Sequence, residues 1–360
     1  MSKQIFDLTW DQFQALSLAE KAPYLMQEGG APYHTLFAQQ FGYELLEQLA
    51  QLANKIRAIA KTRAGTEFLK GQVSHKRAML YFSQPSSRTF LSFVSACQIL
   101  GVQTGEVRDT SISSEFKGES REDSVRTFSS YFDLIIMRTP EKGLAEHMAW
   151  VLSNSERPIP IINAGSGQDQ HPTQALLDIY TLMRSFERNG GLHDRTVLFC
   201  GDLLRGRTVR SLSHLLTNYP NIRQVFVAPG PLQVGADVLA VLKEKGVAYE
   251  LTDDFHKAIP QADAVYMTRI QDEWDTAKGE SAKIDTSRFK FGLEELKLLS
   301  PRGIIMHPLP RRDEIAVAVD SDPRAMYWRQ MRNGMWIRAA LIAMTFGCEK
   351  RIHEYFRHNY

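Results

Sequence analysis

RAMLYFSQPSSRTFLSFVSACQIL, residues 77–100, decides how this chain is read. Arg77–Phe82 is an apolar run of strand character, and residues 90–100 place apolar side chains at helical spacing. Ser86-Ser87-Arg88-Thr89 lies at the joint. A strand that passes directly into a helix is half of a parallel-sheet unit. The first backbone N–H groups of a helix have no partner within it, and the aligned peptide dipoles favour an anion there. Hydroxyls and a guanidinium at that point make a phosphate trap, to which Arg88 adds a planar fork. Taken alone, a Ser N-cap followed by a solvated Arg reads equally well.

Outward from this joint the alternation repeats. Strand-like residues 102–107, 133–138 and 159–163 are separated by helical patterns at 120–131 and Leu144–Ser153. A second set begins after Asn189-Gly190-Gly191, with strands at 196–201, 224–228, 247–251, 262–268 and 303–306 and helices between most of them. The pattern predicts an α/β fold of two doubly wound parallel-sheet domains. They are joined near residues 172–188, a helix with Pro172 well placed at its first position. Leu45, Leu46, Leu49, Leu52, Ile56 and Ile59 make residues 43–62 an amphipathic helix. Before it, residues 8–25 are mildly amphipathic and Gly29-Gly30 breaks the pattern. This stretch reads as a packed N-terminal helical extension and not as a catalytic part.

With 360 residues the chain has length for two or three domains, each with its own core. Its 43 basic and 41 acidic residues leave a net charge of +2, which gives no electrostatic footing for a nucleic-acid partner. Cys97, Cys200 and Cys348 are far apart and form no C-x-x-C pair and no zinc motif; Cys97 and Cys200 sit in apolar runs and read as core thiols of a reducing compartment. The start, MSKQIFDLTWDQF, mixes acidic and apolar residues, and no apolar run approaches membrane-spanning length. No membrane partner is expected, and the cytoplasm is the expected location. The turn Gly201-Asp202-Leu203-Leu204-Arg205-Gly206-Arg207-Thr208 lacks Gly-x-Gly-x-x-Gly, which removes the dinucleotide-dependent hydride-transfer reading.

Four segments occur in order: Ser86-Ser87-Arg88-Thr89; Asn163-Ala164-Gly165 with Gln170-His171-Pro172-Thr173-Gln174; Gly206-Arg207-Thr208; and His307-Pro308-Leu309-Pro310-Arg311. Together they resemble the aspartate/ornithine carbamoyltransferase family, over roughly residues 77–341. The resemblance implies that a C-terminal helix near 333–346 returns to the first domain. The expected division is an extension at 1–42, a carbamoyl-phosphate-binding domain at 43–180 plus 333–360, and an aspartate-binding domain at 181–332.

Carbamoyl transfer needs a held phosphate, a polarised carbonyl and an oriented amine. Phosphate is expected on Ser86, Ser87, Arg88 and Thr89, with Arg138 as a second fork at the end of an apolar strand, where open α/β sheets bind ligands. The resemblance, through Met137-Arg138-x-Pro140, supports that role. His171 precedes a proline at a helix N-terminus, so its ring is expected neutral and able to donate to a carbonyl oxygen. Arg88, Thr89 and Arg138 would share the developing oxyanion with it. Gln174 lies one turn on, and the family assigns it to the carbamoyl amide. The two prolines of the His307 segment leave the Pro308 and Leu309 carbonyls free to accept from that amide, and Leu309–Pro310 is a candidate cis bond. Ornithine-type relatives carry Cys at the Pro308 position, so Pro308 favours aspartate as acceptor. By resemblance Arg207 holds the acceptor's α-carboxylate, and Arg269 with Gln271 holds its β-carboxylate. Ser113 and Lys117, in the polar loop 109–119, are implied to enter an adjacent subunit's site, Ser113 on carbamoyl phosphate and Lys117 on aspartate and in catalysis.

The implied activity is aspartate carbamoylation in pyrimidine biosynthesis by a homotrimer with shared sites, with no metal or organic cofactor. Binding of regulatory chains stays open. The alternatives are a transcarbamylase acting on another amine, which would alter Arg207, Arg269 or Gln271, and a non-catalytic paralogue, which would have lost Arg88, His171 or Lys117. The chain departs from the family at Ser87 (commonly Thr), Phe90 (often Arg), Leu204-Arg205 (Lys-Tyr) and Glu115-Phe116.

Overall fold

The computed structural model describes residues 4–108, 118–167, 170–275, 279 and 281–360. Two compact units divide the chain, residues 1–176 with 334–360 and residues 177–333.

The first unit is built on four parallel strands, β1 (Arg77–Phe82), β2 (Gln103–Val107), β3 (Leu134–Thr139) and β4 (Ile161–Ser166), in the order β2-β1-β3-β4. β3 and β4 are buried throughout and β1 nearly so, as expected of a parallel sheet covered on both faces. β2, at the sheet edge, is largely exposed. Helices Ser87–Leu100, Arg121–Tyr131 and Leu144–Ser153 connect the strands. The second of these is capped by Ser120, whose Oγ accepts from the Asp123 N–H at 3.1 Å and donates to its carboxylate at 2.7 Å. The amphipathic run from residue 43 ends at Ile59, and a separate helix, Arg63–Lys70, follows. At the C-terminus Glu349–Asn359 forms a further helix beyond Tyr327–Thr345; Tyr355 stacks on Phe68 at 3.8 Å.

Residues 1–42 belong to the first unit and not to a body of their own. Ile5, Phe13, Leu25, Leu36 and Phe37 share one core with Met79, Ile135, Met148 and Leu152. Each such side chain contributes about 1.5–3 kcal/mol when fully buried. Thr35 also extends the sheet past β4: its N–H donates to the Ile161 carbonyl and its carbonyl accepts from the Asn163 N–H, both at 2.8 Å.

His34 pins this added edge. Its fully buried ring accepts the Ile161 N–H at Nδ1 (3.0 Å), which leaves Nε2–H to donate to Ser153 Oγ at 2.9 Å. Burial pushes its pKa down to about 3. A ring that titrates near 6.5 when unfolded and near 3 when folded stabilises the protein fully above the first value, and that stability is lost as pH falls toward the second. The Tm of the wild type is expected to fall between pH 7 and 4 by roughly 5 °C more than that of a His34→Asn variant, which keeps an acceptor for Ile161 but does not titrate. Parallel melting curves for the two proteins would remove His34 as the cause.

The second unit carries five parallel strands, β5 (Thr196–Cys200), β6 (Arg223–Val227), β7 (Ala248–Thr252), β8 (Ala264–Met267) and β9 (Ile304–Met306), ordered β7-β6-β5-β8-β9. Its core joins Leu198, Val225, Val265 and Ile305 to Phe255, Phe289 and Phe291.

In each unit the strand order reverses once. The reversal falls between β1 and β3 in the first unit and between β5 and β8 in the second. Open α/β sheets bind ligands beyond the C-terminal strand ends at such points. The topology therefore nominates one crevice in each unit.

Candidate active site

At the first reversal point β1 ends at Phe82, in register with Arg138 of β3. The chain leaving β1 is tied to β3 at once: the Gln84 N–H donates to the Arg138 carbonyl at 3.2 Å, as does Ser83 Oγ at 3.5 Å. Helix Ser87–Leu100 then begins with Ser86 as an extended N-cap that makes no side-chain capping bond, so Ser87, Arg88 and Thr89 form its first turn. Ser87 and Arg88 are exposed, Ser86 half-buried and Thr89 buried. The helix starts three residues before the periodicity at 90 suggests, because its first turn is polar. Phe90 is buried; it meets Phe82 edge-on at 5.4 Å and lies under the Arg108 guanidinium at 4.3 Å.

Arg138 is buried, its Nη1 donating to the Ala164 carbonyl at 3.1 Å and lying 3.4 Å from His171 Nε2. A guanidinium only donates, so His171 Nε2 is the acceptor and its ring is neutral. Gly165 makes this approach possible: with φ at +124°, a Cβ there would sit 2.5 Å from Arg138 Nη1. Asn163 shapes the same turn by accepting the Gly165 N–H at 2.8 Å and donating to the Leu36 carbonyl at 3.0 Å. His171 caps helix Pro172–Phe186, its carbonyl accepting from the Gln174 N–H at 3.0 Å, and both side chains are buried. Ser86–Thr89, Arg138, His171 and Gln174 thus all lie in one unit, with Arg138 and His171 in direct contact. Ser113 and Lys117 lie outside the described residues.

At the second reversal point Arg207 opens helix Arg207–Leu216 after β5, and Arg269 and Gln271 follow β8. Cys200 pairs with Met267, and the Thr268 N–H continues the ladder to the Cys200 carbonyl at 2.8 Å. Gly201 is required here, since a Cβ on it would fall 2.2 Å from the Thr268 carbonyl oxygen. Glu273, which the sequence does not single out, grips Arg269 with both carboxylate oxygens, Nη1 donating to Oε2 at 2.8 Å and Nη2 to Oε1. Burial raises the pKa of Glu273, but the Arg269 guanidinium outweighs it and the net shift is down. Burial lowers Arg207 to about 10, and the Glu273 carboxylate acts against it. Both arginines therefore feel one carboxylate, the kind of partner a dicarboxylic acceptor presents. Beside Arg269 opens a cavity of about 990 Å³, lined also by Thr268, Asp275, Ser281 and Arg312.

Pro308 and Leu309 are half-buried, and the Leu309–Pro310 bond is cis. His307, fully buried, organises this turn. Its Nδ1 accepts the Leu309 N–H at 2.8 Å, leaving Nε2–H for Glu314 at 2.7 Å. Its backbone N–H reaches Gln330 at 3.0 Å; Gln330 donates to Asp178 at 2.6 Å, and the other Asp178 oxygen accepts the Tyr266 hydroxyl at 2.7 Å. Gln330 and Asp178 are fully buried and far from the motif in sequence, and no periodicity points to them.

The strand ends at the first reversal point carry hydroxyls and cations, and those at the second carry Arg207 and Arg269, a set suited to a phosphorylated and a carboxylated ligand. Residues 33–184 match the family model for the aspartate/ornithine carbamoyltransferase carbamoyl-P binding domain, and residues 193–345 match that for its Asp/Orn binding domain. The chain belongs to the aspartate/ornithine carbamoyltransferase family. Within it the similarity is to aspartate carbamoyltransferase catalytic chains. It is 40% identical over 309 residues to chloroplastic aspartate carbamoyltransferase 1 of Pisum sativum, covering 85% of this chain and 76% of that one. It is 36% identical over 310 residues to the catalytic subunit from Finegoldia magna, covering 86% and 96%. A crystal structure of aspartate transcarbamoylase from Trypanosoma cruzi in complex with N-(phosphonacetyl)-L-aspartic acid superposes with a TM-score of 0.79 at 33% identity, covering 89% of this chain and 97% of that one. Among the described residues, no helix is long and apolar enough to cross a membrane.

Proposed function

We propose that this chain transfers the carbamoyl group of carbamoyl phosphate to the amine of L-aspartate, giving N-carbamoyl-L-aspartate and phosphate for pyrimidine biosynthesis. The observation that carries the reading is the pair of reversal points, each furnished with the side chains its substrate needs. Ser86, Ser87, Arg88, Thr89 and Arg138 hold the phosphate, and the Trypanosoma cruzi relative binds a ligand that joins a phosphonate to aspartate. Arg207, Arg269 and Gln271 hold the two acceptor carboxylates. Gln174 and the carbonyls of Pro308 and Leu309 orient the carbamoyl NH2.

The amine attacks the carbonyl carbon, a tetrahedral intermediate forms, and its C–O bond to phosphate breaks. Arg88, Thr89, Arg138 and His171 donate to the oxygen as it gains charge; fixed donors of this kind are usually the largest catalytic contribution. The departing phosphate takes the amine proton. Ser113 and Lys117 reach the site from an adjacent subunit of a homotrimer. The cytoplasm is the proposed location, supported by three buried free thiols; the pea relative is chloroplastic, and cell fractionation decides between the two.

Incubation with carbamoyl phosphate and either aspartate or ornithine, followed by detection of the ureido product, tests the reading. Aspartate is expected to give product at a rate at least about 10²-fold above ornithine, since Arg269 and Gln271 await a second carboxylate that ornithine lacks. Equal rates, or product only with ornithine, would overturn the acceptor assignment. No product with either would favour a non-catalytic paralogue.

A further inference from the structure

Arg205 stands in the turn between β5 and Arg207. Its Nη1 donates to three oxygens of the segment that carries Arg269 and Gln271: the Gln271 carbonyl at 3.2 Å, Asp275 Oδ1 at 2.7 Å and Ser281 Oγ at 2.7 Å. The buried Asp202 closes the ring. Its Oδ1 accepts the Arg205 N–H at 3.1 Å and its Oδ2 accepts the Gln271 N–H at 3.0 Å. Ser281 is bound in turn to Asp275, through its N–H at 3.1 Å and through its hydroxyl.

A second ion pair, Arg312 with Asp272, holds the same segment from the other side at 2.8 and 2.9 Å, but its side chains are 52% and 48% exposed. Exposed pairs contribute little to stability. The Arg205 and Asp275 side chains are 13% and 7% exposed, so their contact is screened far less. The part-buried Arg205 clamp is therefore the firmer of the two holds on this segment.

We propose that Arg205 is a positioning residue for the acceptor: it holds the segment bearing Arg269 and Gln271 to the turn bearing Arg207, within a single chain, in the arrangement that receives the second substrate. The inference rests on the assignment of Arg207, Arg269 and Gln271 to that substrate. Arg205 touches no substrate atom in this scheme. Its effect passes through the Gln271 backbone, held at both N–H and C=O, and through the Asp275 and Ser281 wall of the cavity beside Arg269.

Three variants test this: Arg205→Ala, Arg205→Lys and Asp275→Asn. For Arg205→Ala the KM for aspartate is expected to rise about ten- to hundredfold, the range lost with a charge-assisted hydrogen bond, while the KM for carbamoyl phosphate stays within about twofold. Arg205→Lys keeps a cation with three donors and is expected to recover part of the loss. Asp275→Asn keeps the side-chain volume and is expected to show the same selective loss; combining it with Arg205→Ala adds little, because both cut one contact. Amide hydrogen exchange at residues 270–275 is expected to quicken at least about tenfold in Arg205→Ala, with β5 to β9 unchanged. If Arg205→Ala does not fold, Asp275→Asn carries the same readouts. Equal losses for both substrates, additive effects, or unchanged exchange would overturn the clamp. A wild type that makes no carbamoyl aspartate would instead refute the acceptor assignment, and the exchange measurement would still decide on the clamp.

Discussion

An Arg88→Ala protein is expected to turn over at least about 10³-fold more slowly than the wild type, while its thermal stability stays within about 0.5 kcal/mol. The two halves of this expectation have separate grounds. Arg88 is exposed in the first turn of helix Ser87–Leu100, where a truncation leaves no cavity. Its removal takes one fork from the phosphate and one donor from the developing oxyanion. Losing a single oxyanion donor costs about 10²–10³ in kcat, and the phosphate contact adds to that. Arg88→Lys is expected to fall between the two, because a point charge cannot replace a planar fork. Steady-state rates with saturating aspartate, read beside melting curves, make the test. A near-normal rate would detach the Ser86–Thr89 turn from the chemistry, and a collapse of stability would make it a structural element.

Mixing two inactive proteins is expected to restore activity if the site is shared between subunits. Lys117→Ala and Arg88→Ala proteins should each be nearly inactive alone. After subunit exchange in a trimer, some sites pair an intact Arg88 with an intact Lys117 from the neighbour. Random assortment of equal amounts places such a pair at roughly a quarter of the sites. Recovery of about that fraction of wild-type activity is the expected result. No recovery, with exchange verified by mass, would mean that each site is built within one chain.

Legibility followed the range of the interaction. Ser86–Thr89, Arg138 and His171 were readable because strand-to-helix joints, strand ends and X–Pro helix starts are local signals. The Arg63–Lys70 helix was missed because Ala60, Lys61 and Thr62 interrupt the preceding pattern only briefly before Thr62 caps a new turn, its hydroxyl accepting the Gly65 N–H at 3.0 Å. Thr35 carries no strand pattern at all; it joins β4 only because His34 and the first core residues hold it there. Arg205 was read as one of the chain's departures from its family, with no sign of the oxygens it would meet.

Periodicity, capping residues and four ordered motifs were enough to determine two parallel-sheet α/β units and the family, and to nominate the side chains proposed for each substrate, because each is written within a few residues of chain. What only the tertiary structure decided is how those side chains are held. The reversal of strand order brings Arg138 beside Phe82 and the Arg269 segment beside β5. Gly165 opens the space in which Arg138 reaches His171. Glu273, His307 with Gln330 and Asp178, and Arg205 with Asp275 and Ser281 then fix the arrangement. Most of these partners lie tens of residues or more apart. A hydrogen bond depends on distance and angle in space, and separation along the chain carries no trace of either until the sheets have formed.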